Sequence, residues 1–188
     1  VHCDIKPSNF LISSDNIIKL TDFSLTSKIE EVDENNSYGT FYYQSPEVLL
    51  GSDLDYEMDI WSLGCTFYEI LTRERLFGKC KTNGDMAKAM TQFFGKPNIR
   101  DWPEYYKAPN NDLFCYQSNY SYASLSEMLD EKLEGEYKVF KNLLLNMLMF
   151  NPKERISIEQ ALNDPLFLDA EQPGNMPLLS VEETIYKY

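Results

Sequence analysis

The stretch His2-Cys3-Asp4-Ile5-Lys6-Pro7-Ser8-Asn9 decides how the rest of the chain is read. It sets a carboxylate (Asp4), an ammonium (Lys6) and a carboxamide (Asn9) in one short segment. Transfer of a phosphoryl group to a hydroxyl calls for such a set: a carboxylate to orient the hydroxyl and accept its proton, a cation near the moving group, and oxygen ligands for magnesium. Two short apolar runs follow, at 10–12 and 17–20, flanking the polar Ser13-Ser14-Asp15-Asn16. They read as a two-stranded ribbon with a polar turn. Beyond it lies Thr21-Asp22-Phe23-Ser24. An Asp and a Phe at a strand end are common alone, but a ribbon here folds Asp22 back toward Asp4 and Asn9.

Working outward, residues 25–40 are polar and acidic and read as an exposed loop, long enough to be functional rather than idle. Between 57 and 72, apolar residues (Ile60, Trp61, Leu63, Cys65, Phe67, Tyr68, Ile70, Leu71) cover almost every face of a helix. A helix apolar all round belongs in the middle of a core. Further helices are expected over 86–94 and 136–150, and a short one at 157–162 with Ser157 as its N-cap. Residues 96–122 carry Pro, Asn, Asp and many Tyr and read as an irregular insert. After Leu168 the composition turns acidic and Pro-containing, as in a tail.

Bulk properties exclude several classes. With 43% hydrophobic and 25% charged residues, the 188-residue chain suits one globular domain with its own core. A net charge of −13 argues against nucleic-acid binding, whose affinity comes from phosphate neutralisation by Lys and Arg. The longest apolar stretch, 143–150, is too short for a membrane span. Cys3, Cys65, Cys80 and Cys115 form no C-x-x-C pair, and His2 is the lone histidine, so a zinc set is not expected. Scattered thiols of this kind suit an intracellular protein, cytoplasmic or nuclear.

Four ordered blocks resemble the C-terminal lobe of a eukaryotic-type protein kinase, over most of the chain to about Leu168. Residues 2–9 resemble the catalytic loop H-R-D-x-x-x-x-N, and Asp22-Phe23-Ser24 resembles the D-F-G element. Gly39-Thr40-Phe41-Tyr42-Tyr43-Gln44-Ser45-Pro46-Glu47 is similar to the G-T-x-x-Y-x-A-P-E end of an activation segment. Asp59-Ile60-Trp61-Ser62-Leu63-Gly64 is similar to the D-x-W-S-x-G start of the central helix. The resemblance implies a mainly α member of the α+β kinase fold: a helical lobe around a central buried helix, with a small β-ribbon at its start. It implies a domain over 1–169 and a tail over 170–188. It also implies ATP and Mg2+ as cofactors and Ser or Thr of protein substrates as acceptors, with Lys6 two residues after Asp4 fitting Ser/Thr rather than Tyr specificity. In those terms Asp4 orients the hydroxyl, Lys6 steadies the transferring group and contacts nucleotide, and Asn9 and Asp22 hold magnesium. Thr40 hydrogen-bonds Asp4 and Lys6, and Asp59 caps N–H groups of the catalytic loop. Glu47 pairs with Arg155, an interaction expected to be buried and to cost about 3–5 kcal/mol when broken. Without the resemblance, Glu47 and Arg155 are ordinary surface charges and Asp59 a first-turn acid complementing a helix dipole.

Pro46-Glu47-Val48-Leu49-Leu50-Gly51, Thr72-Arg73-Glu74-Arg75-Leu76-Phe77 and Phe94-Gly95-Lys96-Pro97 look like the branch of cyclin-dependent and mitogen-activated kinases, which leaves open a regulatory subunit. The chain departs from the pattern at Cys3, where an Arg normally grips an activation-loop phosphate, at Ser24 for Gly, at Gln44 for Arg and at Ser45 for Ala. Ser37, Tyr38 and Thr40 are candidate phosphorylation sites, although the missing cation speaks against simple activation by phosphate. The sequence holds no Gly-rich loop, strand lysine or partner glutamate helix, and opens on Val1. The expectation is therefore a fragment of a longer protein, without its N-terminal lobe and inactive alone, with one side of the 57–72 helix under-covered. The competing functions are a pseudokinase or scaffold lobe that docks proteins, favoured by Cys3 and Ser24, and a stand-alone interaction module.

Overall fold

The computed structural model describes residues 1–14, 16–33, 38–96, 100–114 and 122–167, and only the backbone of 122–124. The expectations placed on Ser37, on Cys115 and on the tail 170–188 lie outside the described residues. The ribbon forms as read: β1 (Phe10–Ile12) pairs antiparallel with β2 (Ile18–Leu20), setting Phe10 opposite Leu20, Leu11 opposite Lys19 and Ile12 opposite Ile18. Ser13 closes the turn, its hydroxyl donating to the Ile17 carbonyl and accepting from the Ile17 N–H.

Single 3-10 turns at Phe23–Leu25, Ile29–Glu31 and Phe41–Tyr43 carry the chain from the ribbon to α1 (Pro46–Leu50). Proline at the first helical position starts α1, and Gly51 at φ 63° stops it in the left-handed conformation. Helix α2 spans Glu57–Thr72, the bounds its apolar pattern predicts. Its Trp61, Cys65 and Tyr68 are buried in the main core with Leu50, Phe77, Met86, Met90, Leu125, Leu129, Leu144 and Leu148. Leu63 and Phe67 are half-buried and Ile70 is exposed, so the stripe they form at i, i+4 and i+7 is the less covered side of α2.

Helix α3 (Asn83–Phe94) begins earlier than its apolar residues suggest, because Thr82 and Asp85 form a reciprocal capping box. The insert is less irregular than its composition implies. Within it, 3-10 turns at Pro103–Tyr106 and Asn111–Phe114 bring Tyr105 and Phe114 into an aromatic cluster with Trp102 and Phe150. Helix α4 (Tyr122–Lys132) was not expected; Leu125, Leu129 and Leu133 fix it to the core along one narrow face. The helix read over 136–150 is shorter. Its exposed beginning is a 3-10 stretch, Gly135–Phe140, and α5 proper runs Lys141–Met147. The chain then leaves the helix so that Phe150 can join the aromatic cluster. Gly64 of α2 admits α5 closely: a Cβ there would stand 3.0 Å from Leu148 Cδ2 and 3.1 Å from Met147 Cβ. Helix α6 (Ile158–Leu162) starts at Ser157, whose hydroxyl accepts from the Gln160 N–H. The result is a mainly helical lobe around α2 with a small antiparallel ribbon at its start. Among the described residues no helix is long and apolar enough to cross a membrane.

Candidate active site

The loop before the ribbon is fixed from below by the first turn of α2. Asp59 accepts the His2 N–H at 2.6 Å through one carboxylate oxygen and the Cys3 N–H at 3.0 Å through the other. Cys3 sits at φ 67°, a left-handed bend unusual for a residue with a side chain, and the two Asp59 bonds hold it there. The bend presents Asp4.

Asp4 is buried, and both of its carboxylate oxygens accept hydrogen bonds. Its Oδ1 accepts from the Thr40 N–H (2.9 Å) and hydroxyl (2.7 Å); its Oδ2 accepts from Lys6 Nζ (2.7 Å) and Asn9 Nδ2 (3.3 Å). Lys6 also donates to Thr40 Oγ1 at 2.8 Å, and Asn9 Nδ2 to the Asp4 carbonyl at 2.8 Å. Burial opposes ionisation of Asp4, but the hydrogen bonds from Lys6 and Thr40 and the Lys6 charge outweigh it and hold the carboxyl below the usual aspartate range. Asp4, Lys6, Asn9 and Thr40 are thus one hydrogen-bonded cluster, although Thr40 lies 36 positions from Asp4.

Asp22 reaches this region by the ribbon. Thr21 donates to the Asn9 carbonyl through its N–H (2.9 Å) and its hydroxyl (3.1 Å), which anchors the residue next to Asp22. Asp22 itself is exposed at φ 62°, and its Oδ1 accepts from Ser24 Oγ (2.7 Å) and the Ser24 N–H (3.4 Å). Its carboxylate is therefore held within its own turn rather than in the Asp4 cluster. The serine that replaces glycine is not strained, since the left-handed residue of this turn is Asp22.

The segment carrying Thr40 is held at both ends. At Gly39 (φ 79°) an added Cβ would meet the Cys3 carbonyl oxygen at 3.0 Å, so only glycine lets the segment lie against the loop. Buried Gln44 donates to the Tyr38 carbonyl at 3.0 Å, and the Tyr38 hydroxyl accepts the Asp33 N–H at 2.9 Å. Ser62 of α2 donates to the Tyr43 carbonyl (2.7 Å), and the Tyr43 hydroxyl donates to Glu69 (2.6 Å). Arg75 pairs with Glu69 at 3.5 Å and lies 4.8 Å over the Tyr42 ring. Burial and the Glu69 carboxylate push the Tyr43 phenol upward. Further on, Arg155 forks onto both Glu47 oxygens (2.6 and 3.0 Å), with side chains 0% and 1% exposed. It also donates to the Glu57 carbonyl (2.6 Å) and the Met149 carbonyl (3.1 Å) and lies 5.1 Å over Trp61.

Sequence reasoning passed over Glu69, Arg75 and the ring of His2. Glu69 carries no signal beyond being a charged residue near a helix end, and Arg75 entered only as part of the branch-like block 72–77, with no role for its side chain. At Cys3, burial first and the Asp59 charge second push the thiol up to about 11, so the residue brings neither a cation nor a reactive thiolate to the loop.

The family model described as Protein kinase domain matches residues 1–167. The chain is 31% identical over 176 residues to the serine/threonine-protein kinase ppk23 of Schizosaccharomyces pombe, covering 92% of this chain and 43% of that protein. It is 31% identical over 182 residues to cyclin-dependent kinase 11 of Dictyostelium discoideum, covering 95% of this chain and 49% of that protein. The crystal structure of the yeast RNA Pol II CTD kinase CTDK-1 complex superposes with a TM-score of 0.76 at 26% identity, over 92% of this chain and 57% of that one. The chain spans about half the length of the curated relatives it matches. The relatives it resembles carry the names of serine/threonine, cyclin-dependent and mitogen-activated kinases, and the chain itself belongs to the protein kinase domain family.

Proposed function

We propose that this chain is the catalytic C-terminal lobe, spanning 1–169, of a protein that transfers the γ-phosphoryl group of ATP to serine or threonine hydroxyls of protein substrates. The observation that carries the reading is the Asp4 cluster, which keeps a carboxylate ionised and oriented by Lys6, Asn9 and Thr40. Asp4 orients the incoming hydroxyl and takes its proton as the oxygen bonds to phosphorus and the bond to the leaving phosphate oxygen breaks. Lys6, already turned toward Asp4 and Thr40, brings positive charge to the transferring group.

Magnesium suits the donor set. Asn9 uses its NH2 on Asp4, which leaves its amide oxygen for a cation. Asp22 uses Oδ1 on Ser24, which leaves Oδ2. One or two protein oxygens, completed by phosphate oxygens and water, are how proteins commonly bind magnesium. When bound, the ion supplies charge neutralisation at the phosphate oxygens; Asn9 and Asp22 are the residues that would hold it.

Protein substrates and a regulatory subunit belong to this reading, as does an intracellular setting; the yeast relative was solved as a complex. Gln44 brings no cation to the segment after Thr40, so acceptor peptides with and without a following proline both belong in the assay. Tyr38 and Thr40 are retained as modification sites, though the Thr40 hydroxyl is already engaged by Asp4 and Lys6. In the full-length protein, Asp4→Asn is expected to lower kcat for magnesium-dependent peptide phosphorylation by about 10²–10⁴-fold. The capture of Asp22 by Ser24 favours one second reading, a scaffold lobe that docks proteins without catalysis. Absent phosphotransfer in the wild type, with Asp4→Asn indistinguishable from it, would establish that reading instead.

A further inference from the structure

The Asp22 carboxylate is occupied on one side. Its Oδ1 accepts two donors, the Ser24 hydroxyl at 2.7 Å and the Ser24 N–H at 3.4 Å. A carboxylate oxygen offers two lone-pair directions, so both directions of Oδ1 are taken and Oδ2 is left for a cation. The turn behind this arrangement is tied on either side. Before it, Thr21 donates twice to the Asn9 carbonyl. After it, the Ser27 N–H donates to the Val1 carbonyl at 3.1 Å and the Val1 nitrogen to the Ser27 carbonyl at 2.9 Å. Phe23, between Asp22 and Ser24, stands edge-on to the His2 ring with centroids 5.2 Å apart. Asp22 holds the left-handed conformation at φ 62° and ψ 70°. With the backbone tied in this way, Oδ1 is freed by rotation of the Ser24 side chain rather than by movement of the turn.

We infer that Ser24 is a specificity-determining residue whose hydroxyl limits Asp22 to one-oxygen ligation and so tunes the site to magnesium against calcium. The inference rests on the proposal that Asn9 and Asp22 hold the metal, and adds what Ser24 does there. Magnesium is small, demands octahedral geometry, keeps several waters and needs few protein oxygens. Calcium takes more oxygens at longer distance and is well served by a carboxylate that turns both oxygens to it. In this donor set the oxygens left for a cation are the Asn9 amide oxygen and Asp22 Oδ2, since Asn9 uses its NH2 on Asp4. Such a pair suits an ion that completes its shell with phosphate and water. A calcium ion that draws on Oδ1 as well must first displace the Ser24 hydroxyl, the closer of the two donors. Glycine at this position would leave only the longer backbone bond in its way.

The test uses the full-length protein carrying a non-hydrolysable ATP analogue at less than one equivalent, titrated calorimetrically with Mg2+ or Ca2+ alone. Ser24→Ala keeps the N–H of the turn and deletes the hydroxyl, while Ser24→Thr keeps both. Ser24→Ala is expected to raise calcium affinity by about 3–10-fold, the order of one hydrogen bond to a charged group at an exposed position, and magnesium affinity by less than about 2-fold. Ser24→Thr should keep the wild-type ratio of the two. A variant that merely misfolds would lose both affinities instead of gaining one. Unchanged calcium affinity in Ser24→Ala, an equal gain for both ions, or Ser24→Thr behaving like Ser24→Ala would each overturn the inference. Asp22→Asn separates it from the reading beneath it. If Asp22→Asn weakens magnesium binding and Ser24→Ala matches the wild type, only the role of Ser24 fails. If Asp22→Asn leaves magnesium binding unchanged, the magnesium site proposed above fails and takes this inference with it.

Discussion

Ser45 stands immediately before α1, is 1% exposed, and its hydroxyl has no hydrogen-bond partner. An unpaired buried hydroxyl costs about 1–3 kcal/mol relative to a paired one. Ser45→Ala removes that group, and the expected gain is about 1 kcal/mol in a denaturant titration of the full-length protein. A loss of stability would show that the hydroxyl is satisfied after all. Asp4 gives the pH counterpart. Its folded-state value lies below the ordinary one of 3.8, so what ionised Asp4 adds to stability is present above that pH and lost as pH falls through the lower folded value. Acid unfolding of Asp4→Asn should accordingly lack the steepening the wild type shows below the ordinary aspartate range.

Arg155 joins elements rather than residues. Its guanidinium reaches α1 through Glu47, the start of α2 through the Glu57 carbonyl, and the segment just after α5 through the Met149 carbonyl. Removing it strands a buried carboxylate, so Arg155→Ala is expected to destabilise by about 3–5 kcal/mol. Arg155→Lys should recover little of this, because one ammonium cannot replace a fork bound to both Glu47 oxygens. Equal melting temperatures for wild type and Arg155→Ala would refute the assignment of this pair as a buried link. Element by element, what the sequence made legible followed from signal strength. Helix α2 announced itself because its apolar residues cover nearly the whole helical circumference, and the ribbon because two apolar runs flank a polar turn. Helix α4 went unread because its buried residues form one thin line amid polar ones, and α3 was read short because its first turn is set by a cap rather than by apolar residues. The opposite error lengthened α5, where apolar Val139 and Phe150 continue the helical period but lie respectively on an exposed 3-10 stretch and in the aromatic cluster.

For the whole molecule, Asp4, Lys6 and Asn9 could be anticipated from residue type and spacing, since each answers a need of the same chemistry, and Thr40 from the resemblance of 39–47 to the end of an activation segment. What spacing could not supply was the way the parts are tied. The Ser24 grip on Asp22 and the Tyr43–Glu69–Arg75 link depend on side-chain geometry, and no periodicity encodes them. Glu47 and Arg155, a pair 108 positions apart, have a temporal meaning as well. During synthesis the acid emerges long before its base. A nascent chain halted short of Arg155 would carry a glutamate destined for the interior with nothing to neutralise it, so the stretch ending in Glu47 should settle late. Translation arrest or a premature stop anywhere ahead of Arg155 would then damage the end of the lobe that carries the Asp4 cluster without altering one of its residues.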